Sequence, residues 1–252
     1  QNPLPTKYSD YDAFISFTSI KMSSLFSAFL PFFRLFLIFL FITENVRILD
    51  CVLLNILPMF RDSIDVLFLN TIAFRRLRQL APSLLSDCPS LRSVSFNDAI
   101  LPAFPPDDSA NASDGQAVAK WLFTPRPDGL PKELQCSANA PVGQWSSTME
   151  QIKAAFSNAS SPVPFCIHFW SSSPPDSVVL FDRINEVTGE ELALQQDNAH
   201  DCCLFRLPIG WGTRKWDNVW EEMIARQNPI DIRIKDGGFD GRSSGRPFSR
   251  AN

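Results

Sequence analysis

The chain has 252 residues, of which 45% are apolar and 20% charged, with a formal net charge of −4. That length allows one large domain or two small ones, and the composition excludes a collagen, a coiled coil, a disulfide mini-scaffold and a wholly disordered chain. The acidic balance argues against a nucleic-acid binder.

The first residue is Gln1, so the chain reads as a fragment, a mature form or an incomplete gene model. Ala13 to Phe17 reads as a strand. It is followed by an apolar stretch, Met22 to Thr43, whose one charge is Arg34. Leu25 to Ile42 holds fourteen Leu, Ile or Phe residues. At roughly −0.3 to −0.6 kcal/mol each they contribute about −4 to −8 kcal/mol toward bilayer insertion, against about 3 kcal/mol for a central arginine. Three readings stay open. One is a core helix, apolar all round, or a poorly formed segment. Another is a membrane anchor over residues 25–42. The third is a cleaved signal peptide starting at Met22, with Lys21 outside it.

Val46 to Leu49 reads as a further short strand. Next comes a weak repeat. Ile64-Asp65-Val66-Leu67-Phe68-Leu69-Asn70 and Leu91-Arg92-Ser93-Val94-Ser95-Phe96-Asn97 share the pattern L-x-x-L-x-L-N, 27 residues apart. Between them Phe74, Leu77, Leu80, Ala81, Leu84 and Leu85 fall at helical spacing, with Arg75, Arg76 and Arg78 on the other face. Pro82 should split that helix and Pro89 end it. A strand, a helix and a parallel strand at this period are leucine-rich-repeat geometry. Leu67, Leu69, Val94 and Phe96 are then inward. Asp65, Phe68, Arg92 and Ser95 are the expected outward, partner-contacting positions.

Two capping boxes follow. Ser113 with Gln116 opens a helix carrying Ala117, Val118, Trp121 and Leu122, and Ser147 with Glu150 opens another carrying Ile152, Ala155 and Phe156. Glu133 to Cys136 and Val163 to Trp170 read as strands. After Ser171 to Pro175 the pattern becomes an antiparallel meander: Val178 to Ile184, Glu191 to Gln195 and Cys202 to Leu207. A helix through Trp216, Val219, Trp220, Met223 and Ile224 packs on it, and Ile230 to Ile234 alternates as a last strand. From Asp236 the Gly-, Ser- and Arg-rich tail is expected to be disordered.

The expected fold is therefore α/β: irregular leucine-rich-repeat-like strand–helix units followed by a small antiparallel sheet with a packed helix. The divisions are 1–44 (strand plus apolar segment), 45–170 (strand–helix units), 171–235 (meander plus helix) and 236–252 (tail).

Chemistry is sparse. No phosphate-binding loop, nucleophile elbow, zinc-protease or dinucleotide motif occurs. No C-x-x-C pair joins any of the six cysteines, so zinc-finger and thioredoxin readings lack support. Cys51, Cys88, Cys136 and Cys166 sit in apolar runs as small hydrophobes. Reduced thiols point to a cytoplasmic protein. Cys166, His168 and Trp170 share one face of a strand. They admit a Cys–His dyad or half a metal site, against the plainer reading of an ordinary strand. His200 with Cys202 and Cys203 falls in a turn. Gly210 to Lys215 before a helix admits an anion. None of these rises above its structural explanation. No catalytic residue, metal or cofactor is expected, and the chain does not read as an enzyme.

The segment Asp114 to Lys132 (DGQAVAKWLFTPRPDGLPK) resembles a block of a large family of nematode F-box proteins. Leu77 to Pro82 with Asp87 to Ser93, Phe156 to Ser160, and Leu204 to Ile209 resemble others. Together the blocks span about residues 45–235. In that family an N-terminal F-box binds a Skp1-type adaptor of a cullin ubiquitin ligase, and the region after it recruits a protein substrate. The resemblance implies a non-catalytic protein-interaction domain of that second kind. No F-box is found here: Leu57-Pro58 begins like one, but the residues after it read as a strand. A Skp1-type partner is expected only with an upstream F-box. The alternative is a membrane-anchored or secreted interaction protein held by residues 25–42.

Overall fold

A computed structural model describes residues 37–41, 46–139, 143–170, 179–196, 201–211, 230–235 and 238–243. Its frame is one ten-stranded mixed sheet, in the order β10 (Gly238–Ser243), β9 (Ile230–Lys235), β1 (Leu37–Phe41), β2 (Ile64–Leu69), β3 (Ser93–Phe96), β4 (Lys132–Ser137), β5 (Phe165–Trp170), β8 (Asp201–Pro208), β7 (Glu190–Gln196), β6 (Phe181–Asn185). Strands β1 (Leu37–Phe41), β2 (Ile64–Leu69), β3 (Ser93–Phe96), β4 (Lys132–Ser137) and β5 (Phe165–Trp170) lie side by side in chain order and parallel. Parallel neighbours need crossovers, and helices supply them. The α/β strand–helix units expected from the 27-residue spacing are thus present.

The repeat holds at residue level. Leu67 pairs with Val94 and Leu69 with Phe96, and all four are buried in one core. Asn70 ends β2 and caps helix α3 (Thr71–Leu80), its side chain accepting from the Ala73 N–H at 2.7 Å. Phe74 and Leu77 of α3 face the sheet. The helix stops before Pro82, and a single turn, α4 (Leu84–Asp87), follows.

Helix α5 (Asp114–Leu122) opens with the expected capping box. Ser113 Oγ accepts from the Gln116 N–H and Gln116 Oε1 accepts from the Ser113 N–H. It buries Val118, Trp121 and Leu122. Helix α6 (Gln144–Ser157) buries Met149, Ile152 and Phe156. Core residues of these helices form one cluster with Leu67, Val94, Leu134 and Ile167, so they cover a single face of the sheet.

The meander is β6 (Phe181–Asn185), β7 (Glu190–Gln196) and β8 (Asp201–Pro208), antiparallel throughout. It is no separate layer. Strand β8 pairs antiparallel with β5, so the meander continues the same sheet.

Several expectations fail. Val46 to Leu49 is not a strand but the start of helix α1 (Val46–Cys51), continued by a π-helical turn (Val52–Ile56) and α2 (Leu57–Phe60). Leu49, Val52, Leu53, Leu57 and Phe60 are buried, a helical stripe that four residues alone could not reveal. The core-helix and membrane-span readings of 25–42 fail over Leu37–Phe41, which is β1, flanked by β2 and by β9 (Ile230–Lys235). A branched and aromatic run satisfies strand and helix alike, and pairing on both sides decides it. Among the described residues no helix is long and apolar enough to cross a membrane. The second capping box does not form, because α6 starts at Gln144 after Gly143 at φ 82°. Ser147 lies inside the helix and takes a bond from Gln151. Arg78 is not on an exposed face but buried, bonding Asp114 and the Ser109 carbonyl. Within the tail, Gly238–Ser243 forms β10, antiparallel to β9. The register runs from Gly238 against Lys235 to Ser243 against Ile230. The expected strand at 13–17 and helix at 216–224 lie outside the described residues.

Candidate functional site

Two of the four expected contact residues, Phe68 and Ser95, lie within regular strand pairing, and the other two sit where that regularity begins. Asp65 falls at an irregularity in the β1–β2 register, between Ile64 and Val66, and Arg92 immediately precedes β3. Arg92 is not outward: it is only 7% exposed. Its Nη2 lies 3.4 Å from Asp128 Oδ2, and its N–H donates to the Asp65 carbonyl at 2.8 Å. Asp128 is held in turn by Arg126, which also donates to the Ser90 carbonyl. These arginines tie loops together.

Side chains alternate along a strand, so Phe68 and Ser95 lie on the face opposite Leu67, Leu69, Val94 and Phe96, paired with each other and half-buried. They begin a row that crosses the sheet: Phe68, Ser95, Gln135, His168, Cys203 and Gln195 are successive register partners. A second row, Ser93, Glu133, Cys166, Phe205 and Ala193, runs beside it. The helix-covered face is apolar. This face is polar over β3 and β4 and rich in sulfur over β5 and β8.

At its centre Cys166 Sγ is 3.0 Å from Cys203 Sγ and 3.4 Å from His168 Nε2. His168 Nε2 is 3.3 Å from Glu133 Oε1, which also accepts from Gln135 at 2.9 Å. The sequence placed Cys166 with His168. It did not place Cys203, grouped there with His200 in a turn; the β5–β8 register brings Cys203 opposite His168. Glu133 was read only as a strand residue. It is 1% exposed, and its Oε2 has no hydrogen-bond partner among the described residues. The hydrogen bond from Cys166 pulls the Cys203 thiol below its ordinary pKa. Burial opposes this, as does Glu133, while His168 assists. By contrast burial alone pushes Cys136 up, and burial foremost raises Cys88 to about 12. Those two are inert core thiols.

A second feature lies at the sheet's end. Strand β6 pairs with β7 alone among the described strands. Asp182, Arg183 and Ile184 are exposed. Val179 (74%), Leu180, Val187 (78%) and Ile209 are exposed apolar residues around it, and the Ile209 N–H bonds the Gly189 carbonyl in the β6–β7 turn. No sequence signal marks this edge, since strand order is not written in any one strand.

The chain matches no protein-family model, no curated protein and no solved structure.

Proposed function

We propose that this chain is a non-catalytic protein-interaction domain, akin to the substrate-recruiting region of an F-box adaptor of a cullin ubiquitin ligase. The observation that carries the reading is the β6 edge. An end strand offers a row of backbone N–H and C=O groups that a partner's extended segment can pair with. Exposed Val179, Leu180, Ile184, Val187 and Ile209 give that segment apolar contact, and neighbouring Asp182 and Arg183 offer both charges. The occupant is thus an extended segment of a substrate protein with alternating apolar and charged side chains. Phe68 and Ser95 stay as secondary contacts on the polar face. A Skp1-type adaptor enters only through an F-box upstream of the resembling blocks.

The test is co-precipitation of the upstream-extended protein, followed by binding measurements on the substrate recovered with it. Skp1-type adaptor and cullin should co-purify. Ile184→Arg and Arg183→Pro should weaken substrate binding at least tenfold, and substrate should protect β6 amides from hydrogen exchange. Recovery without adaptor or cullin removes the ligase reading. Binding unaffected by both edge substitutions removes the β6 surface.

A further inference from the structure

We infer that Cys166, Cys203 and His168 form a binding site for one zinc-type transition-metal ion, with Glu133 beside the fourth coordination position. The three donor atoms lie within 4.8 Å of one another. They come from two directly paired strands of a continuous sheet, so backbone hydrogen bonds fix their spacing before any ion arrives. With the usual Zn–S and Zn–N bond lengths, a tetrahedral site needs about 3.8 Å between sulfurs and about 3.6 Å between sulfur and nitrogen. The observed 3.0 and 3.4 Å are within small side-chain rotations of those values.

Glu133 supplies an independent indication. A carboxylate this buried with one oxygen unpartnered carries an uncompensated desolvation cost. The row geometry sets it directly against Cys166, with Oε1 3.3 Å from His168 Nε2. A cation held by the sulfurs and the imidazole offsets that charge. A water in the fourth position can donate to the free Oε2, as partners beyond the first ligands commonly do. Two thiols and one imidazole select zinc and its soft neighbours over magnesium or calcium. On binding, each thiol loses a proton to the solvent and no electrons move.

A disulfide fits less well. Cys166 sits opposite Phe205 and Cys203 opposite His168, so the cysteines are diagonal neighbours, which lie farther apart than directly opposed residues. Their sulfurs, at 3.0 Å, are well beyond the length of about 2.05 Å of a bond.

The experiment uses the full chain, reduced, stripped with a chelator and titrated with Co2+ and then Zn2+. One equivalent of cobalt should give the strong visible absorption of a tetrahedral centre and a thiolate-to-cobalt charge-transfer band, and zinc should displace it. Cys203→Ser and His168→Gln should abolish both bands, Cys88→Ser should keep them, and Glu133→Gln should weaken affinity by about 10–100-fold. His168 has a quarter of its side chain exposed (25%), so its variant carries the test if a cysteine variant does not fold. Folded wild-type protein without the bands, bands that survive His168→Gln, or a Cys166–Cys203 disulfide in the protein as isolated would each overturn the inference.

Discussion

Arg206 on β8 and Glu190 on β7 form an ion pair sealed inside the protein, with Nη2 and Oε2 2.6 Å apart and both side chains 1% exposed. Every tie around it is local to one corner. Arg206 also donates to the Ser161 carbonyl and stands over the Phe156 ring, while Glu190 Oε1 accepts from the Val163 N–H. The pair thereby fastens the meander to the end of α6 and to the chain entering β5.

Removing one partner strands the other charge in the core. Arg206→Met or Glu190→Leu alone should cost about 3–5 kcal/mol of unfolding free energy, whereas the double substitution should recover most of it. Urea denaturation of the three variants checks this. Equal losses in the single and double variants would show that packing, not charge pairing, matters there.

Gly115 is a question of space. It sits in the first turn of α5, where an added Cβ would collide with the Leu101 carbonyl oxygen and touch the Ala103 Cβ. The Ala103 N–H also bonds the Gly115 carbonyl. Gly115→Ala should therefore destabilise the fold by about 1–3 kcal/mol, despite alanine's better helix propensity. A raised thermal midpoint would contradict this.

The two observed caps offer a paired measurement. Asn70→Ala and Ser113→Ala should each cost about 1 kcal/mol. Ser147→Ala, at a position that looks like a cap in the sequence but lies inside α6, should cost a few tenths at most. Comparable losses at all three would place the start of α6 at Ser147 after all.

Lys132 predicts a pH dependence. Burial, helped by the charge of Arg126, lowers its pKa from 10.5 to about 7. The carbonyls of Trp121 and Thr124, which accept from its Nζ, pull the other way. With the folded-state value depressed, the unfolded chain binds more protons between about pH 7 and 10.5. Unfolding free energy should then rise with pH through that window and be flat below it. The difference between wild type and Lys132→Met, measured from pH 6 to 10, isolates this one group. A flat difference curve would mean that the two carbonyls keep the ammonium charged.

What the sequence disclosed was local. The L-x-x-L-x-L-N pair located β2 and β3, because alternating inward apolar residues leave a mark within seven residues, and Asn70 also caps α3. Ser113 and Gln116 announced α5 for the same reason. What it withheld depends on partners remote in the chain. Leu37–Phe41 reads as part of an apolar helix until β2 and β9 lie on either side of it. The outward set was mixed because a four-residue strand gives little to fix parity: Arg92, placed outside, is buried against Asp128. Cys166 and His168 were visible as neighbours two apart. Cys203 joins them 37 residues later through the antiparallel register of β5 and β8, and Glu133 through the parallel register of β4 and β5. No spacing rule reports either.

The place of β9 has a consequence during synthesis. This strand, which begins at residue 230, is the neighbour of β1, which begins at residue 37. Until the ribosome has delivered β9, the flank of β1 away from β2 lacks the strand that pairs with it. A nascent molecule therefore carries a sticky border while the residues between β1 and β9 are being made, and release before β9 would leave that border open to another chain.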